Sequence, residues 1–143
     1  MLSLSRPLTI IDLEATGTDP ESARIIQVAV QRLAPRGTET ERPSRFSTVV
    51  NPGIPVDDHI LDLTGITQEQ IDKADPWFEV AKRLERDLIG ADLAGYNILS
   101  YDYPLLEAEY ERLNRDVPGP EDRKIVDAYQ LEKRLRPRTL EAV

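Results

Sequence analysis

The spacing of apolar residues changes character twice along the chain. From Leu8 to Leu13 the chain is nearly continuously apolar and β-branched, the pattern of a strand inside an α/β protein. Ala15 to Pro20 breaks it with turn chemistry, and Arg24 to Leu33 follows as a second strand with Ile26, Val28 and Val30 on one face. Pro35-Arg36-Gly37 opens a polar stretch to Arg45 that reads as an exposed hairpin connection, and Phe46 to Val50 is a third strand closed by Asn51-Pro52-Gly53. Short connections between three early strands predict an antiparallel meander.

Helical spacing then takes over. Thr67-x-x-Gln70 fits a capping box for a short helix through Ile71. Asp75 reads as an N-cap, Pro76 as a first helical residue and Gly90 as a stop, with Val80, Ala81, Leu84 and Leu88 on one face between them. Asp92 to Tyr96 suggests a short strand, Pro104 to Leu113 a helix, and Lys124 to Asp127 another strand running into a helix that ends near Lys133, Arg134, Arg136 and Arg138. Thr139 looks like the N-cap of an element that begins close to Val143. The expected architecture is an α/β sandwich with a mixed sheet, forming one domain over residues 1–143.

Composition removes several functions. The 143 residues include no cysteine and one histidine, so disulfide frameworks, thiol nucleophiles, iron–sulfur clusters and His-rich zinc sites are excluded. There is no Gly-rich phosphate loop ending in Gly-Lys-Ser/Thr, no apolar run long enough to span a membrane and no export signal, which reads as a cytoplasmic protein without membrane contact. The formal charge of −8 argues against binding nucleic acid through a basic face. It leaves nucleic acid open as a substrate, because a site that holds divalent cations must itself be acidic.

Asp12 and Glu14 flank Leu13 on the first strand, where residues two apart share a face at a separation of about 6.6 Å. Two carboxylates at that distance repel by about 2.5 kcal/mol at an effective dielectric of about 20. A divalent cation with oxygen ligands, Mg²⁺ or Mn²⁺, would remove that cost; a strand that ends in solvated acids would not incur it. Asp102 stands before the helix at Pro104, where taken alone it reads as a helix-terminus acid. Asn97 fits a strand-end turn.

Taken together these segments resemble the DEDD superfamily of 3′–5′ exonucleases, which includes proofreading subunits and ribonuclease T. Ile11-Asp12-Leu13-Glu14-Ala15-Thr16-Gly17 is similar to the first motif. Asn51-Pro52, Leu63-Thr64-Gly65-Ile66-Thr67 and the Asp75 helix resemble the segment that follows, and Gly95-Tyr96-Asn97 through Tyr101-Asp102 resembles the second motif. Lys124 to Ala128 resembles the next strand and helix start. The resemblance implies a ribonuclease H-like sandwich and hydrolysis of single-stranded DNA or RNA 3′ ends by a two-metal mechanism. By motif, Asp12, Glu14 and Asp102 would be catalytic metal ligands, with Asp12 bridging two ions of Mg²⁺ or Mn²⁺. Thr16, Gly17, Ile66, Asn97 and Tyr101 would hold the substrate. A homodimer or a polymerase-type partner is also implied.

For Ile66 a core role competes with base contact, and for Tyr96 and Tyr101 core packing competes with stacking. The basic residues from Lys133 to Arg138 could touch phosphates or complement a helix C-terminus. The family's third motif, a His or Tyr followed by a final Asp, does not occur before Val143, and Thr64 stands where many relatives have a histidine. His59 lies between the first two motifs, on an expected surface turn, and Asp127 reads as a helix cap. The expectation is therefore a C-terminally incomplete exonuclease domain, with a truncated or degenerate non-catalytic interaction module on the same fold as the alternative.

Overall fold

A computed structural model of the protein describes residues 5–35 and 44–135. Five strands form one sheet in the order β3-β2-β1-β4-β5: β1 (Leu8–Ala15), β2 (Ile25–Leu33), β3 (Ser44–Val49), β4 (Asp92–Gly95) and β5 (Ile125–Asp127). β1 pairs antiparallel with β2, and β2 with β3, which is the expected meander. β4 adds parallel to β1 on its other edge and β5 parallel to β4, so β1 is central and the sheet is mixed. The close approach of β4 to β1 depends on Gly95, where a Cβ would stand 2.8 Å from the Ile11 carbonyl oxygen.

Among the described residues five α-helices follow β3: α1 (Asp58–Thr64), α2 (Gln68–Lys73), α3 (Trp77–Leu88), α4 (Tyr103–Glu111) and α5 (Ala128–Leu135). The capping box forms, with Gln70 N donating to Thr67 Oγ1 at 3.1 Å and Thr67 N to Gln70 Oε1 at 2.8 Å. The N-terminus of α3 differs from expectation by one residue. Pro76, with an extended backbone (ψ 163°), occupies the cap, and Asp75 instead faces Arg83 at 3.5 Å. α1 was not expected; it buries no residue fully, so it leaves little periodicity to read, and its clearest signal is Gly65 at φ 75° just past its end. His59 therefore sits exposed on a helix rather than on a turn.

Thr9, Ile11, Leu13 and Ala15 of β1 are buried on one face of the sheet, in the main core with Val28, Val30, Val80, Leu84 and Leu106. Tyr110 and Trp77 join α4 to α3 there, edge to face at 5.3 Å, with the Tyr110 hydroxyl donating to the Ala81 carbonyl oxygen. Such a pair contributes about 0.5–1.5 kcal/mol beyond its burial. The opposite face is more open: Ile10 is 40% exposed, so among the described residues β1 is half-buried, unlike the fully buried strand its composition suggested. The 36–43 connection, Arg136, Arg138 and the Thr139 cap fall outside the described residues. Among those described, no helix is long and apolar enough to cross a membrane.

Candidate active site

The strand period sets the first two carboxylates. Asp12 and Glu14 leave β1 on the side opposite Ile11 and Leu13, Asp12 exposed and Glu14 partly covered. Between Glu14 and Ala15 the pairing with β2 slips, from Glu14 opposite Gln27 to Ala15 opposite Ile25. Such bulges re-aim side chains at the end of a strand.

Asp102 arrives from a different part of the chain. A single π-helical turn, Ile98–Asp102, precedes α4, and Tyr103 N closes it by donating to the Ile98 carbonyl oxygen. Wide turns of this kind are frequent at functional sites. The expected alternative for Asp102, capping α4, does not occur: its backbone is helical and its side chain makes no cap bond. Its Oδ2 instead accepts from Leu13 N at 3.2 Å, between Asp12 and Glu14, where β1 has run beyond its pairing with β4.

Two of the three carboxyl groups are held above the ordinary carboxylate range. Burial, and then the charges of Asp12, Glu14 and Asp127, push Asp102 up to about 7, against the opposing pull of the Leu13 N–H. Glu14 is raised by burial and by Asp12, and the Tyr101 phenol by burial, Asp102 and Glu14. The donor set is all oxygen and suits Mg²⁺ or Mn²⁺. It is not a closed cage: among the described residues no group of three or more His, Cys, Asp or Glu stands in metal-holding geometry. The residues fit a hard cation in donor chemistry and charge.

The other expected residues divide between this corner and the core. Thr16 and Gly17 follow β1 directly; Thr16 Oγ1 accepts from Arg24 N at 2.9 Å, and the Gly17 carbonyl oxygen accepts from the Tyr101 hydroxyl at 2.6 Å. Asn97 adopts the left-handed conformation (φ 59°) that Asn tolerates, and its N–H donates to Asp127 Oδ1. Ile66 is placed apart, buried with Ile26, Val56 and Ile71 in a second small cluster.

Two supports were not anticipated. Asp127 caps α5 through Tyr129 N, as expected, but it also accepts from Asn97 N and Leu99 N and so fixes the turn that leads to Asp102. Buried Glu109 accepts from Ile25 N at 2.8 Å and from Arg112 at 2.9 Å. Arg112 in turn donates to the Ala23 and Glu21 carbonyl oxygens. The only sequence signal for this splint is a Glu and an Arg three apart, common on any exposed helix face.

The mixed sheet, its order and the helices packed on it define a ribonuclease H-like α/β fold, with an acidic corner at the end of its central strand. The profile of the RNase T-type Exonuclease family matches residues 9–141, and the chain belongs to that family. The 3′-5′ exonuclease DinG of Bacillus subtilis is 30% identical over 129 residues, 90% of this chain and 13% of DinG. The PolC-type DNA polymerase III of Lacticaseibacillus paracasei is 24% identical over 134 residues, 93% of this chain and 9% of the polymerase. The chain thus spans only 9–13% of the length of these curated relatives. In fold it is similar to apo exonuclease I, with a TM-score of 0.75 at 20% identity over 91% of this chain and 30% of that one. E. coli exonuclease I in complex with a 5cy-dT13 oligonucleotide matches with a TM-score of 0.74 at 20% identity, over 91% of this chain and 29% of that one.

Proposed function

We propose that the chain is a divalent-metal-dependent 3′–5′ exonuclease that removes nucleotides from single-stranded DNA ends. The observation that carries this reading is the convergence of Asp12, Glu14 and Asp102, from two separate motifs, on one end of β1. The PolC-type DNA polymerase III relatives favour DNA over RNA and a replication setting, in which a polymerase-type partner is natural, and DinG favours the 3′–5′ direction. Asp12, Glu14 and Asp102 would hold Mg²⁺ or Mn²⁺. Bound there, the ions supply charge neutralisation at the phosphate and an activated water.

The chain's own residues do the positioning. The Thr16–Gly17 backbone, tied to Tyr101, forms the wall against which the terminal nucleotide rests. Gly17 leaves room for it, because a Cβ there would meet nothing within 4 Å. Asn97 presents its side chain from a backbone held by Asp127. Asp102, pushed up to about 7 by burial and its acidic neighbours, is partly protonated near neutral pH and would release that share of a proton on holding a cation.

The test is Mn²⁺-dependent shortening of a 5′-labelled single strand. A product ladder is expected with the wild-type chain, with a loss of about 10³-fold or more for Asp12→Ala and in EDTA. The absence of metal-holding geometry among the described residues favours a second reading, a nucleic-acid-binding module without catalysis. That reading predicts oligonucleotide binding unaffected by Asp12→Ala and no ladder under any condition.

A further inference from the structure

Tyr96 is 59% exposed, although it follows a buried strand directly. Leu93 and Gly95 of β4 face the core, whereas Tyr96, in the turn that follows, is turned to solvent. The parallel register sets Ala94 beside Ile10. The pairing ends there, and Tyr96 opens the turn that leads through Asn97 to Asp102.

Tyr96 belongs to an ordered group. Its ring meets that of Tyr129 edge to face at 5.4 Å and 75°, and Lys133 Nζ lies 5.5 Å from the centre of the Tyr129 ring. One buried carboxylate sets both tyrosines: Asp127 Oδ1 accepts from Asn97 N, next to Tyr96, and from Tyr129 N, each at 2.9 Å. The sequence left core packing as the usual use of Tyr96, and its exposure removes that use. An aromatic pair fixed at the surface, flanked by a cation and set on the turn that leads to Asp102, has the features of a stacking platform. Stacking suits this chain in particular, because a net charge of −8 repels phosphates whereas π-faces do not.

We propose that Tyr96, Tyr129 and Lys133 form a base-stacking site for the single strand upstream of its 3′-terminal nucleotide. The choice of nucleic acid as ligand rests on the exonuclease reading; the platform itself rests on the exposed aromatic pair. Tyr96 presents its ring to a base, Tyr129 meets that ring edge to face and holds it in place, and Lys133, over the Tyr129 ring, meets the neighbouring phosphate. Affinity should therefore rise with strand length, and that rise should depend on Tyr96.

The experiment measures binding by fluorescence anisotropy in Ca²⁺, with a labelled thymidine dinucleotide and a labelled thymidine oligomer of about eight nucleotides. Tyr96→Ala should weaken the longer strand by about tenfold and leave the dinucleotide within about twofold, while Tyr96→Phe keeps the wild-type values. Tyr129→Leu should act in the same direction, and thermal unfolding of each variant checks its fold. Equal affinities of Tyr96→Ala and wild type for the longer strand, or a wild type that binds both lengths alike, would overturn the platform. A wild type that binds with Tyr96 dependence but yields no Asp12-dependent product would sink the exonuclease reading and leave the platform standing.

Discussion

Asp102 and Asp127 are buried almost equally, at 6% and 5% exposure, yet they live in opposite circumstances. Asp127 accepts three backbone N–H groups, from Asn97, Leu99 and Tyr129. Hydrogen bonds of this kind, made to a charged acceptor, are the strong ones and compensate the loss of water. Asp102 accepts one, at 3.2 Å, and faces Asp12 and Glu14 as well. A buried carboxylate with a full set of donors is a structural fastening. One with too few donors and too many like-charged neighbours is stabilised only by a proton or by a cation.

Asp127→Ala should produce the largest stability change. It strands three N–H donors and releases both the turn before α4 and the start of α5, at a cost of about 3 kcal/mol or more, read by urea denaturation. Asp102→Asn should act with the opposite sign above neutral pH in EDTA. It keeps an acceptor for Leu13 N and removes a buried charge, so the protein should gain about 1–2 kcal/mol while losing metal-dependent turnover. A destabilised Asp102→Asn would remove the distinction between the two aspartates.

The pH dependence follows from the same contrast. Asp102 has a folded-state value of about 7 against an ordinary 3.8, so the folded protein holds a proton that the unfolded chain gives up. The stabilisation is fully present below about pH 4 and is lost as pH rises through 7. In EDTA the urea midpoint should therefore carry a downward slope between those values that flattens in Asp102→Asn. Saturating Mn²⁺ should restore stability most at pH 8 and least at pH 5. The smallest effect belongs to the splint on the far side of the site. Arg112→Ala should cost about 1 kcal/mol and speed amide exchange over residues 16–24, which Arg112 ties to α4 through Glu21 and Ala23.

The sequence showed the elements whose physics is local. The meander, the Thr67–Gln70 capping box and the apolar face of α3 were readable because period and cap chemistry lie within a few residues of one another. Asp12 and Glu14 were readable as a same-face pair for the same reason. What was not readable depends on long-range contact. The use of Asp102 turns on a bond to Leu13, 89 residues away, and without it the residue looks like an ordinary helix-start acid. Glu109 bonds Ile25 across 84 residues and resembles any i,i+3 surface pair. α1 escaped because it buries nothing fully, and the openness of the Ile10 face escaped because apolar composition does not reveal what covers a strand.

The central claim is that the corner formed by Asp12, Glu14 and Asp102 is a divalent-cation site. Titration calorimetry of the metal-free protein with Mn²⁺ at pH 7, repeated in buffers of different ionisation enthalpy, tests it most directly. The account predicts binding that Asp12→Asn abolishes, accompanied by release of a fraction of a proton, because Asp102 is partly protonated at that pH. Binding without proton release, binding that survives Asp12→Asn, or no binding at all would contradict it.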